Sequence, residues 1–208
     1  MTKVYLAKTY GYQSNCYMLV CGSYAAVIDP SVPLSAFSVP ENVKVTHVLL
    51  THGHFDHILA LDSYLGENVK AYMSSRDGRM LKDSRANASA LFGLDEVISS
   101  ASPVFVDDGD VISIGDATVK VIATPGHTEG SLCYSCGNDL FTGDTLFCDG
   151  IGRCDLPGGD YNKMRLSLKK LAAIEGNLKI YPGHDVLTTL DREKQNNYEL
   201  SRYVAQNI

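Results

Sequence analysis

No stretch of the 208 residues approaches the apolar length needed to span a bilayer, and no long disordered or low-complexity segment interrupts the chain. The first residues, Met1-Thr2-Lys3-Val4-Tyr5-Leu6, run straight into a strand-like segment where an exported protein would carry a leader. Positive charge is also scarce, with 18 Lys and Arg against 24 Asp and Glu and a net charge of −6. Phosphate backbones are gripped by clustered Lys and Arg, so neither a nucleic-acid partner nor nuclease activity is expected. The one basic cluster, Lys169-Lys170, suits a solvated helix face, and an anionic substrate would need a local basic group. Six cysteines could pair, but without an export signal they are expected as reduced thiols in a cytoplasmic protein with no membrane attachment. No Ser-His-Asp grouping is evident.

What remains is an ordinary globular composition, 45% hydrophobic and 20% charged. A chain of 22.6 kDa buries about 70% of its extended surface, ample for a layered core, and one domain over residues 1–208 is expected. Against this background Thr51-His52-Gly53-His54-Phe55-Asp56-His57 stands out, because it holds three of the six histidines and a carboxylate. These are ligand types for a borderline divalent metal. Val43 to Leu50 reads as a buried strand that ends at the motif, the end at which α/β folds place ligands. Residues two apart on an extended segment point the same way, so His52 and His54 can share one metal. If a helix begins near Asp56, that carboxylate and His57 can reach a second point. Ile58, Leu59, Leu61, Tyr64 and Leu65 would form its apolar face. His47, inside the strand, is expected to be structural, and Asp29, before Pro30, is expected to cap a turn.

Val4 to Thr9, Cys16 to Cys21 and Ala25 to Ile28 read as a meander, Ser31 to Asn42 as a loop or irregular helix, and Val69 to Ser74 as a strand. Asp77 to Phe92 reads as a polar helical stretch, in which Asn87 and Ser89 suit solvation more than a pocket wall. In the second half, Val104 to Val106, Asp110 to Ile114, Thr118 to Ala123, Ser131 to Ser135 and Asp139 to Phe141 read as strands. Asp160 is placed to cap a helix from Tyr161 to about Glu175, Leu178 to Tyr181 is a strand, and Asp191 to Asn207 a final helix. Three of the later strands each deliver one metal-competent residue at the same kind of end: His127, Asp144 and His184. Cys133 and Cys136 would face opposite sides of a strand, which suits packing better than a zinc knuckle.

In order and context, His52, His54, Asp56, His57, His127, Asp144 and His184 resemble the metal-site pattern of the metallo-β-lactamase superfamily. Thr124-Pro-Gly-His-Thr, Thr142-Gly-Asp-Thr-Leu-Phe, Gly150-Ile-Gly-Arg-Cys-Asp-Leu-Pro-Gly-Gly-Asp and Tyr181-Pro-Gly-His are most similar to the short glyoxalase II-like hydrolases. The resemblance implies an α/β fold, an αββα sandwich of two facing mixed sheets with helices outside. It also implies two divalent metal ions, zinc favoured and iron or manganese also compatible with the ligand types. His52, His54 and His127 would hold the first and Asp56, His57 and His184 the second, with Asp144 between them. The implied reaction on a small-molecule substrate is hydrolysis of a thioester or ester by hydroxide bridging the metals, with Asp56 orienting the water and later taking a proton. Arg153 is the candidate for binding a substrate carboxylate, and Cys148 and Cys154 share its loop. The alternatives are a mononuclear-iron persulfide dioxygenase-like oxidoreductase and a lactonase. Asp144 disfavours a true β-lactamase. Three departures stand out. Leu59-Ala60 replaces a usual Gly-Gly and would crowd the helix near the pocket, and Cys154 stands where Thr is common. The C-terminal helical extension that grips glutathione is not in this chain. Nothing in the sequence indicates an oligomeric state.

Overall fold

All five residues of β2 (Tyr17–Cys21) are buried, so this strand must be covered on both faces. Its side chains divide accordingly, Tyr17, Leu19 and Cys21 into one apolar cluster and Met18 and Val20 into another. The same division repeats across both sheets of the computed structural model, which describes residues 2–38, 42–94 and 96–204. In the first sheet β1 (Thr2–Leu6), β2, β3 (Tyr24–Ile28), β4 (Lys44–Leu49), β5 (Lys70–Met73) and β6 (Val104–Phe105) lie side by side in chain order. The β1–β3 meander is antiparallel, and β3 to β6 pair in parallel. The second sheet runs β12 (Thr188–Thr189), β11 (Lys179–Pro182), β10 (Asp139–Gly143), β9 (Leu132–Cys136), β8 (Ala117–Ala123) and β7 (Val111–Ile114). Within it only β10 and β11 pair in parallel.

Leu19, Ile28 and Leu49 of the first sheet meet Val121, Tyr134 and Phe141 of the second in the central core. Outside the first sheet, Met18, Val27 and Val48 pack under Ile58, Leu61 and Leu81. Outside the second, Leu140 and Ile180 pack under α2 (Tyr161–Ala172), α3 (Leu190–Asn196) and α4 (Tyr198–Val204), through Leu168, Leu190 and Leu200. The order of layers is therefore helix, sheet, sheet, helix. Two buried tyrosines bolt the sheets together, Tyr134 donating to the Leu50 carbonyl at 2.8 Å and Tyr17 to the Pro182 carbonyl at 2.7 Å.

The expected strands fall within about three residues of their places, the short β12 was not expected, and Asp160 caps α2 by accepting from the Asn162 and Lys163 amides. Three helices differ. The motif helix is a single turn, α1 (Phe55–Ile58), followed by a separate 3₁₀ turn at Leu61–Tyr64. Both partners of the next helical bond are taken elsewhere, since the Ala60 amide donates to the Pro30 carbonyl and the Asp56 carbonyl accepts from the Ser14 amide. Leu59 consequently points outward, and the replacement of Gly-Gly by Leu59-Ala60 crowds no pocket. The polar stretch after β5 forms 3₁₀ turns at Ser75–Lys82 and Ser89–Phe92 in place of one helix. The last helix is two, broken at Asn197; its expected end, from residue 205 onward, lies outside the described residues, as do residues 39–41 of the Ser31–Asn42 loop. The six cysteines are free thiols, and Cys133 and Cys136 enter the outer and the central core respectively.

Candidate metal centre

Strands β3, β4, β8, β10 and β11 deliver their carboxyl ends to one rim of the sandwich, and each contributes a residue there. The turn after β4 carries His52 and His54, and α1 carries Asp56 and His57. The turns after β8, β10 and β11 carry His127, Asp144 and His184. One ligand atom from each of His52, His54 and His127 lies within 4.8 Å of the others, and so do atoms of Asp56, His57 and His184. His52, His57 and Asp144 form a third such group, which joins the two. Asp144 reaches both sides: Oδ1 is 3.3 Å from His57 Nε2, and Oδ2 is 3.4 Å from His127 Nε2 and 3.6 Å from His184 Nε2. All seven residues singled out in the sequence come together. Arg153 is adjacent, with its carbonyl accepting from His127 Nδ1 at 2.7 Å. Its guanidinium lies on the rim in a two-bond pair with Asp155.

The imidazoles are turned by their outer nitrogens. A carbonyl can only accept, so His127 Nδ1 carries a proton and Nε2 faces the cluster. Asp29 accepts from His57 Nδ1 at 2.9 Å, which fixes that ring in the same sense. Thr51 spends its hydroxyl proton on Asp29, so its oxygen is left to accept from His52 Nδ1 at 3.1 Å. His54 meets His127 Nε2 through its Nδ1 at 2.8 Å. On the inner edge His52 Nε2, His57 Nε2 and Asp144 Oδ1 are buried without a hydrogen-bond partner, as is His54 Nε2. Native interiors seldom leave such atoms unpaired. Converging imidazole and carboxylate donors, oriented from outside by a carboxylate, a hydroxyl and a carbonyl, suit divalent cations.

The charges agree with this. Burial holds His52 neutral and His54 down to about 3, with the neighbouring histidines adding to the effect. Burial opposes charge on His57 as well, but Asp56, Asp29 and Asp144 outweigh it and hold its imidazolium well above the usual range. Asp144, penalised by burial, is carried below the usual carboxylate range by His57 and His127. Three carboxylates thus gather positive charge into the cluster, a role that a cation fills by displacing a proton. Gly183 packs directly against the cluster, where a Cβ would collide with Asp144 Oδ1 and lie 2.8 Å from His57 Cε1. The cluster floors a cleft of about 520 Å³ walled by Tyr12, Phe55, Phe92, Phe147, Ile151 and Leu156.

A family model for the metallo-β-lactamase superfamily matches residues 9–184. The chain belongs to the metallo-β-lactamase superfamily. Membership brings a hydrolase-type function that depends on divalent metal. The chain is 31% identical to the hydroxyacylglutathione hydrolase GloC of Haemophilus influenzae, over 89% of its own length and 92% of that protein's. It is 30% identical to the probable polyketide biosynthesis zinc-dependent hydrolase PksB of Bacillus subtilis, over 88% and 78%. Among solved structures, the B3 metallo-β-lactamase BLEG-1 superposes with a TM-score of 0.85 at 30% identity, covering 97% of this chain and 100% of that one. The di-iron-bound TTHA1623 superposes with a TM-score of 0.78 at 27% identity, covering 92% and 98%.

Within this superfamily fold, several residues do more than their sequence context suggested. Asp29, expected to cap its own turn, instead sends its carboxylate across to accept from the Thr51 amide at 2.8 Å, and it orients His57 and Thr51. Asp77 is buried and accepts from the Gly53 and Gly130 amides and the Thr128 hydroxyl, tying the motif loop to the His127 loop. Asn87 and Ser89 are buried, not solvated. Asn87 donates to the Met80 and Val97 carbonyls, and its own carbonyl accepts from the Phe55 amide. His47 is structural, stacked on Tyr72. No helix among the described residues is long and apolar enough to cross a membrane.

Proposed function

We propose that residues 1–208 form a single-domain dinuclear hydrolase that cleaves a thioester or ester, with His52, His54 and His127 holding one divalent ion and Asp56, His57 and His184 the other. Asp144, with Oδ1 beside His57 and Oδ2 beside both His127 and His184, stands between them. The observation that carries this reading is the set of inward buried atoms without partners, His52 Nε2, His57 Nε2 and Asp144 Oδ1, in a cluster where the outer nitrogens of His52, His57 and His127 are already committed. Bound metal would supply acidified water and polarise the scissile carbonyl. Zinc suits the donor set and is the metal of the probable zinc-dependent hydrolase PksB, while the di-iron-bound TTHA1623 supports iron as the alternative.

The chain's own residues do the rest. Asp29, Thr51 and the Arg153 carbonyl keep three imidazoles aimed inward, so no reorganisation is needed during turnover. Asp56 lines the cleft and holds His184 Nε2 at 3.0 Å, which places its carboxylate to orient a water and take up a proton. Arg153 is paired only with the exposed Asp155 and can exchange it for a substrate carboxylate. The hydroxyacylglutathione hydrolase name of GloC supports a thioester over other bonds.

Elemental analysis of protein purified without added metal, together with a panel of thioesters, a lactone and a β-lactam, tests the proposal. Thioester turnover with two equivalents of metal is expected, and His54→Ala should lose metal and activity together. Full activity at full metal content in that variant would remove the assignment. Oxygen uptake on glutathione persulfide with thioesters left intact would favour the iron oxidoreductase instead.

A further inference from the structure

Two side chains at the cleft mouth are placed against the ordinary logic of burial. Tyr12 and Phe92 are 61% and 43% exposed, yet both line the cleft that is floored by His54, Asp56 and His184. Their rings meet edge to face at 6.3 Å, and Phe92 continues to Phe55, inside the motif, at 5.4 Å. An aromatic run therefore leads from solvent to the cluster. Exposed apolar surface of this kind marks a site that something else covers.

Neither ring is there by loose fit. Tyr12 sits on the β1–β2 loop beside Gly11, whose φ of +62° makes the turn. The loop is tied down by the Ser14 amide on the Asp56 carbonyl and the Asn15 amide on the Gly183 carbonyl, both beside the Asp56, His57 and His184 group. Phe92 ends the 3₁₀ turn Ser89–Phe92, which follows Ala88, a buried residue held at φ +69°. That backbone is costly for alanine, and such strain gathers at ligand clamps. Asn87, fully buried with its amide protons and Oδ1 all engaged, over-determines it. Cations do not compete for this wall, because Arg153, the one cationic side chain lining the cleft, comes from the loop after β10.

We infer that the Tyr12–Phe92 pair is a subsite for an apolar, ring-sized group of the substrate, attached on one side of the bond that is cleaved. Aromatic faces meeting edge to face accept a third flat group at little conformational cost. The substrate class is thus narrowed to esters or thioesters with an aromatic or bulky aliphatic acyl or thiol part. The kinetic arm of the test rests on the proposed hydrolysis, and the binding arm does not.

For the kinetic arm, kcat/KM is compared for phenylacetyl and acetyl thioesters of one thiol, and for benzyl and methyl thiols of one acyl group. The larger member of one pair should be preferred, and Phe92→Ala and Tyr12→Ala should each lower that preference by about tenfold. Tyr198→Ala, an exposed ring on α4, should leave it unchanged. For the binding arm, the chain contains no tryptophan, so Phe92→Trp provides a single indole reporter. Titrating it with a benzyl thioether, which cannot be hydrolysed, should give a saturable change in emission that a carboxymethyl thioether does not. Loss of thioester turnover with a saturable benzyl response would count against the hydrolase reading alone. A flat benzyl titration would overturn the subsite, as would a preference unchanged in both alanine variants. So would light scattering that shows Phe92→Ala splitting a dimer, which would make the rings an interface between copies.

Discussion

At the scale of single residues, the carboxylate that acts from behind the cluster is the most exacting. Asp29 takes three hydrogen bonds, from the Thr51 amide, the Thr51 hydroxyl and His57 Nδ1, while it is itself buried. Asp29→Ala leaves those donors facing a dry void, at about 1–3 kcal/mol for each unsatisfied group. It also frees the His57 ring to turn and removes the acceptor that biases Thr51 toward His52. Zinc affinity should fall by about 10–100-fold, measured by titration of metal-free protein against a chromophoric chelator. Unchanged affinity would mean that the rings need no such partner. The seven clustered residues were legible in the sequence because five are among only six histidines and all follow buried strands. Asp29 was not, for a physical reason: a lone Asp before Pro looks like any turn, and its role arises only when β3 and β4 pair in parallel with Ile28 opposite Leu49. Asp77 and Asn87 escaped for the same reason, since each acts on loops remote in sequence.

At the scale of elements, alternation and glycine turns locate strands well, because a strand's two faces are fixed by its own residues. Helix lengths were read less well, because their ends depend on who competes for the backbone. The Pro30 carbonyl and the Ser14 amide stop the motif helix after one turn. At the C-terminal end Asn197 breaks one apparent helix into two. It is fully buried, its Oδ1 accepts from the Glu199 and Leu200 amides, and its Nδ2 donates to the Phe147 and Gly150 carbonyls. It therefore starts α4 and pins the loop whose Phe147 walls the cleft. Asn197→Ala removes a cap worth about 1 kcal/mol and strands buried carbonyls at about 1–3 kcal/mol more. A loss of about 2–4 kcal/mol is expected in urea unfolding at constant metal, whereas Tyr198→Ala next to it should cost under about 0.5 kcal/mol. Equal midpoints for the two variants would show that α4 caps itself.

At the scale of the whole molecule, each proposed metal position draws on both sheets. His52 and His54 hang from the first sheet and His127 from the second; Asp56 and His57 hang from the first and His184 from the second. A cation at either position would tie the two layers together at the rim, adding to links such as Tyr17, Tyr134, Asp77 and the Leu132 amide on the Thr51 carbonyl. The unfolded chain separates the His52–His57 segment from His127, Asp144 and His184. Metal therefore binds the native state more tightly and stabilises it by mass action, up to about 4 kcal/mol at a thousandfold excess over Kd. For a chain of this size 1 kcal/mol moves Tm by about 2–4 °C, so chelation should lower Tm by up to roughly 8–16 °C. The two positions can be separated. His127→Ala and His184→Ala each break one trio and leave the other, so each should retain part of the chelator-sensitive shift. His54→Ala combined with His184→Ala should retain almost none. A single mutation that abolishes the whole shift would mean that the two positions fill only together, with Asp144 transmitting the loss from one to the other.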